Sequence, residues 1–248
     1  MPVRLLILVL VAHVAACERA PSELRVYAAS SLAEVTAAFA DELEANTHVE
    51  LAGSQVLRLQ ILEGAPADVF MSANERLVQE LVEGGHCRDA SAVAAGELVL
   101  VVPADNPGGV RSFEDLAQVE SIVVAQPEVP AGRYTEQLLR LAEGRYGAER
   151  VEAIRRRIRS RESNVRLVRA KIALGEADAA FIYRSDVDPA AMRIIELPMG
   201  VCANYWACEV LPLREGSAAA RAAWMRLLHS ERGRALFEEH GFAPPETP

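Results

Sequence analysis

Three short turns hold the residues whose types and spacing bear on chemistry: Ala29-Ser30-Ser31, Gly53-Ser54-Gln55 and Pro130-Ala131-Gly132. Each turn is placed where a strand gives way to a helix in an alternating strand–helix pattern. The first turn of a helix exposes unpaired N–H groups and the positive end of its dipole, so such turns are seats for an anion. Two of the three add hydroxyl donors and one a close-approach glycine. In open parallel sheets, ligands bind beyond the carboxyl ends of the strands, where these turns would gather. Read locally, Ser31 and Ser54 are more simply helix caps, and Ser31 with Glu34 three residues on makes a capping box that would start a helix at the serine.

Other chemistries find little support. The chain has no GxSxG, GxGxxG, Walker loop or HExxH pattern, and His86, His229 and His240 read as surface or helix-end residues. No catalytic residue is expected, and an exported α/β enzyme is the weaker alternative. Cys87, Cys202 and Cys208 lack CxxC spacing and have no paired histidines, so no Cys/His cation site is expected. In an oxidising compartment these three thiols make one disulfide with one left over, and the preferred pair is Cys202–Cys208. The run Arg155-Arg156-Arg157, continued by Arg159 and Arg161, reads as a solvated helix face rather than a basic funnel.

The 248-residue chain begins with a positive charge at Arg4 and an apolar run, Leu5–Val11, too short to span a bilayer. Residues 1–16 are expected to be a secretory signal. Val14-Ala15-Ala16-Cys17 resembles a lipobox, which makes Cys17 the expected lipidation site and membrane anchor; His13 sits awkwardly in the apolar segment, and cleavage without lipidation is the alternative. Either route places the protein in the periplasm or otherwise outside the cytoplasm. Loss of Arg4 takes the formal net charge from −9 to −10. So acidic a body disfavours nucleic acid and offers no long-range pull on anions, so an anion site must rely on local donors.

Strand and helix patterns alternate from Leu24–Tyr27 and Leu32–Ala45 through Asp68–Met71 and Glu75–Val82, and restart after Pro103 with Ser121–Ala125, Tyr134–Leu141, Val165–Leu174 and Ala179–Tyr183. Helices return at Ala218–Leu228 and Glu231–His240, the last stopped by Gly241. The expected fold is α/β with two lobes, residues 24–101 plus 209–248 and residues 102–208, each a mixed, mostly parallel sheet flanked by helices with a ligand cleft between.

Five segments in order make the reading specific: VYAASSL (Val26–Leu32), QILEGAPADVFMSAN (Gln60–Asn74), VPAGRYTEQLL (Val129–Leu139), NVR (Asn164–Arg166) and GEADAAFIYRSDV (Gly175–Val187). Together they resemble the periplasmic molybdate-binding family of solute-binding proteins, over Leu24 to Phe242. The resemblance implies the two-lobed type II periplasmic-binding-protein fold. It also implies an oxyanion shell of Ser31 and Ser54 from one lobe and Ala131, Val165 and Tyr183 from the other. The implied ligand is molybdate or tungstate, the implied partner an ABC transporter permease, and the expected form a monomer without a cofactor. Another anion, sulfate-like or organic, is the alternative, as is a sensor that hands the ligand signal to a membrane partner. Two departures, Trp206 where relatives usually carry proline beside Tyr205 and Gln55-Val56 where they carry small residues, bear on cavity size and hinge.

Overall fold

The computed structural model describes residues 23–43, 45–197 and 199–245. The expected signal segment 1–16 and Cys17 lie outside them. The first half opens with β1 (Leu24–Ala29), a 3-10 turn (Ser30–Leu32), α1 (Ala33–Asp41), β2 (Thr47–Ala52), α2 (Ser54–Leu62), β3 (Val69–Ser72) and α3 (Glu75–Glu83). A long strand, β4 (Cys87–Pro103), leads to β5 (Ile122–Ala125), α4 (Pro130–Tyr146), α5 (Ala148–Arg155), β6 (Ile158–Glu162), α6 (Val165–Ala173), β7 (Ala179–Tyr183) and β8 (Met192–Ile195). The return strand β9 (Cys202–Val210) is followed by α7 (Ala218–Leu228) and α8 (Glu231–Glu239).

The sheet order is β2-β1-β3-β9-β4-β7-β5-β6, with β8 beside β4. β1 pairs in parallel with β2 and β3, and β5 with β6 and β7, while β4 and β9 make the antiparallel pairings. β4 pairs with β9 from Cys87 to Glu97 and then passes to β7 and β8 from Leu98 onward. One strand therefore ties the two halves together. β3, β5 and β7 are buried at every position, as strands covered on both faces by helices must be.

The edges differ. β6 alternates half-buried and exposed residues, with Arg159 and Arg161 pointing outward, so the arginine run is not one helix face: α5 ends at Arg155 and the chain turns into an edge strand. Charges on an exposed edge discourage pairing with another chain. At the carboxyl end Gly241 adopts φ 80°, the left-handed conformation that stops α8 without a Cβ penalty. Phe39 of α1 packs on Trp224 and Phe237 with ring centroids 5.6 and 5.1 Å apart, fastening the two tail helices to the first half.

Two further expectations are corrected. The disulfide joins Cys87 to Cys208, with Cα atoms 5.9 Å apart, and Cys202 is exposed outside it. A Cys202–Cys208 bridge is impossible because both lie on β9; six residues of extended strand separate them by about 20 Å, against the ~4.4–6.8 Å a disulfide requires. Cys87 meets Cys208 because antiparallel pairing of β4 and β9 brings the ends together. The second correction is at Ser31, which starts no helix: it lies inside the 3-10 turn, α1 begins at Ala33, and no side chain caps either element.

Candidate functional site

Ser31, Ser54, Ala131, Val165 and Tyr183 all line one cavity, together with Ala29, Ser30, Gly53, Pro130 and a few other small residues. Each of the five is at most 4% exposed. Four chain starts converge on the cavity: the 3-10 turn after β1, α2 after β2, α4 after β5 and α6 after β6. Convergence follows from parallel pairing within each half, because parallel strands put their carboxyl ends, and the helices that follow, on one side. The cavity is small, about 10 Å³, where roughly 10–15 Å³ admits one water. Only a compact ion, with a slight outward shift of the walls, suits it.

The two serines are held as donors. Ser31 Oγ accepts from the Tyr205 hydroxyl at 3.0 Å, and Ser54 Oγ accepts from the Ala73 N–H at 3.3 Å. With an acceptor position already used, each hydroxyl has its proton to offer. Neither serine caps its helix: Gly53 occupies the N-cap of α2, and no side-chain cap bond forms there. The Ser54 N–H, at the first position of α2, has no acceptor within the helix.

Across the cavity, Ala131 is the second residue of α4, after Pro130, whose missing N–H costs nothing at a helix start. Gly132 is obligatory there, since a Cβ would sit 2.0 Å from the Gln126 carbonyl oxygen. Val165 opens α6 behind Asn164, whose side chain accepts from the Leu167 N–H at 3.1 Å and leaves the Val165 N–H unused by the cap. The Tyr183 hydroxyl is buried with no hydrogen-bond partner among the described residues. Burial first, and then the neighbouring Tyr205, Tyr134 and Asp186, push its pKa well above the ordinary phenol value, so it is a donor throughout the physiological range.

No charged side chain lines the cavity. A buried carboxyl, Asp186, follows three residues after Tyr183. Its carboxylate oxygens have no hydrogen-bond partner among the described residues, and its nearest cation, Arg166, is 3.9 Å away. Burial raises its pKa to about 7, against the lowering influence of Arg166 and Arg169. Arg166 meanwhile reaches Glu34 at 2.6 Å.

The five residues that the family resemblance implied are gathered at one cavity, while the groups that support them were not foreseen. Tyr205 is 174 residues from Ser31, and Ala73 is 19 residues from Ser54. No spacing rule links them. Gly132 was the exception, visible as a glycine directly after a Pro-Ala helix start.

The profile of the bacterial extracellular solute-binding proteins matches residues 24–243. The molybdate-binding protein ModA of Mycobacterium tuberculosis is 30% identical over 230 residues, which span 89% of this chain and 84% of that protein. Among solved structures, the substrate-binding domain of a putative molybdenum ABC transporter from Clostridium difficile superposes with a TM-score of 0.67 at 26% identity, over 90% of this chain and 99% of the other. The sulfate-binding protein SubI of Mycobacterium tuberculosis gives a TM-score of 0.76 at 16% identity, over 90% and 87% of the two chains, a likeness of fold alone.

Proposed function

This chain belongs to the bacterial extracellular solute-binding protein family, and from that premise we propose that it binds a fully ionised tetrahedral oxyanion, molybdate or tungstate, and delivers it to the permease of an ABC transporter. One observation carries the reading: neutral donors from both halves converge on one small, buried, uncharged cavity at four chain starts. A fully ionised dianion only accepts hydrogen bonds. Phosphate near neutral pH still carries a proton that needs an acceptor, and no carboxylate lines the cavity to provide one. The likeness to ModA, named for molybdate, supports the same ligand.

In this reading the jaws are the two halves, one built on β1, β2, β3 and β9 and the other on β5, β6, β7 and β8, with β4 passing from the first to the second at Leu98. The anion docks on the donors of one jaw, the other closes over it, and exclusion of water strengthens each hydrogen bond. Ser31 and Ser54 donate hydroxyl protons, Ala131 and Val165 donate N–H groups, and Tyr183 donates its phenol. Closure marks the occupied state for the permease. The protein works outside the cytoplasmic membrane as a monomer without a cofactor, tethered through lipidated Cys17, and carries out no catalysis.

Calorimetric titration of the purified protein, freed of bound anion, with molybdate, tungstate, sulfate and phosphate tests the proposal. Tight 1:1 binding of molybdate or tungstate with weak sulfate and phosphate is expected. Preference for sulfate or phosphate, or silence toward all four, would overturn it.

A further inference from the structure

Two residues that directly follow expected anion donors reach across the cleft. Gln55, after Ser54, donates its side-chain N–H to the Ser163 carbonyl at 3.0 Å, 108 residues away on the strand-to-helix turn that carries Val165. Arg166, after Val165, reaches back to both oxygens of Glu34 on α1 at 2.6 and 2.7 Å, and Arg169 joins at 3.4 Å. Gly53, two residues before Gln55, is so tightly placed that a Cβ would be 2.7 Å from the Ser163 carbonyl oxygen and 2.6 Å from the Gln55 amide. Its φ of −62° is an ordinary one that alanine adopts freely. The crowding at this position therefore comes from the Ser163 carbonyl of the opposite half and from the Gln55 side chain that reaches it, and not from the local backbone conformation.

We infer that this seam, Gly53 and Gln55 against Ser163 together with Glu34 against Arg166, is the clasp that keeps the cleft shut, so that these residues set the lifetime of the bound anion. The inference rests on the proposed anion site. The same turns that supply donors also fasten on each other, so displacement of either turn loosens both the ligand and the clasp. The Gln55–Ser163 bond is neutral and insensitive to salt, whereas the Glu34–Arg166 pair is partly exposed and subject to screening. Burial pushes the Glu34 carboxyl up, and the Arg166 hydrogen bond and the two arginine charges outweigh it, leaving its pKa below the ordinary value and the residue ionised at neutral pH.

The test uses the full chain and three variants, Gly53→Ala, Gln55→Ala and Glu34→Gln. It reads molybdate release by stopped-flow chase, and the distance between fluorophores at the exposed positions Leu62 and Leu174, one on each half, without ligand. Gly53→Ala is expected to speed release by about tenfold or more, the scale of a buried steric clash of one to two kcal/mol. Its fluorophore distance is expected to lengthen. Gln55→Ala is expected to speed release by roughly three- to tenfold, the loss of one hydrogen bond. Raising sodium chloride from about 0.05 to 0.5 M is expected to speed release from the parent protein and to leave Glu34→Gln indifferent, because only an ion pair is screened. Release rates and distances equal to the parent in Gly53→Ala and Gln55→Ala overturn the clasp. If the parent binds no oxyanion, the functional reading falls, and the ligand-free distance still decides: longer in Gly53→Ala supports the clasp, unchanged overturns it.

Discussion

The hydroxyl of Tyr205 donates to Ser31 Oγ at 3.0 Å, joining the middle of β9 to the turn that follows β1. Tyr205 is fully buried, and its ring stacks edge-on against Tyr183 on one side and Phe242 on the other, with centroids 5.6 and 5.1 Å apart. The tail of the chain thereby sets the orientation of a donor near its beginning. Tyr205→Phe keeps the ring packing and removes the bond. Anion affinity is expected to fall about fivefold, near 1 kcal/mol, while the melting temperature moves by only a few degrees; calorimetry and thermal melts check both.

Ser54→Ala and Tyr183→Phe remove donors aimed into the cavity. Each is expected to weaken anion binding by about 1–3 kcal/mol, the scale of a lost charge-assisted hydrogen bond. Unchanged affinity in both variants would sink the site assignment. In Tyr183→Phe a buried hydroxyl with no hydrogen-bond partner among the described residues is deleted, so ligand-free stability is expected to hold or rise.

Stability is expected to depend on pH through Asp186. Its pKa in the folded chain is raised to about 7, well above the ordinary carboxyl range, chiefly by burial, with Arg166 and Arg169 opposing and Glu34 reinforcing the rise. A carboxyl with a raised folded pKa binds its proton more tightly folded than unfolded, so the favourable contribution is fully present below about pH 4, fades as pH rises and is gone above about pH 7. Melting temperatures of the parent and Asp186→Asn, measured from pH 4 to 8, are expected to diverge in this window, with the parent losing more stability as pH rises. Parallel curves would show that Asp186 does not titrate there.

The disulfide is tested by digestion with trypsin without reduction. A Cys87–Cys208 bridge links the peptide Leu77–Arg88 to the peptide Ile194–Arg214, which contains both Cys202 and Cys208. A Cys202–Cys208 bridge would leave these two peptides separate. Replacing Cys87 and Cys208 together by alanine is expected to cost about 2–5 kcal/mol of stability, the range for removing a native bridge that closes a long loop, whereas Cys202→Ala is expected to cost far less.

What could be read from the sequence was local. Burial of whole strands, the helical spacing of Leu32, Val35 and Phe39, and the glycine stop at Gly241 all depend on residues a few positions apart, and the fold class followed from their order. The turns at Ser31, Ser54 and Ala131 were legible as anion seats, because a strand-to-helix turn exposes donors whatever lies around it, whereas Val165 and Tyr183 came only from the family resemblance. The serines misled where a stronger distant partner overrode a local one: the capping role of Ser31 lost to Tyr205, and Ser54 turned to Ala73. Tertiary structure alone decided the partner of Cys208, because strand pairing and not sequence distance brings thiols within reach. It decided, too, that Gln55 meets Ser163 and Arg166 meets Glu34. Contacts between residues more than a hundred positions apart exist only once both halves are folded and packed together, and no pattern of neighbouring residues encodes them.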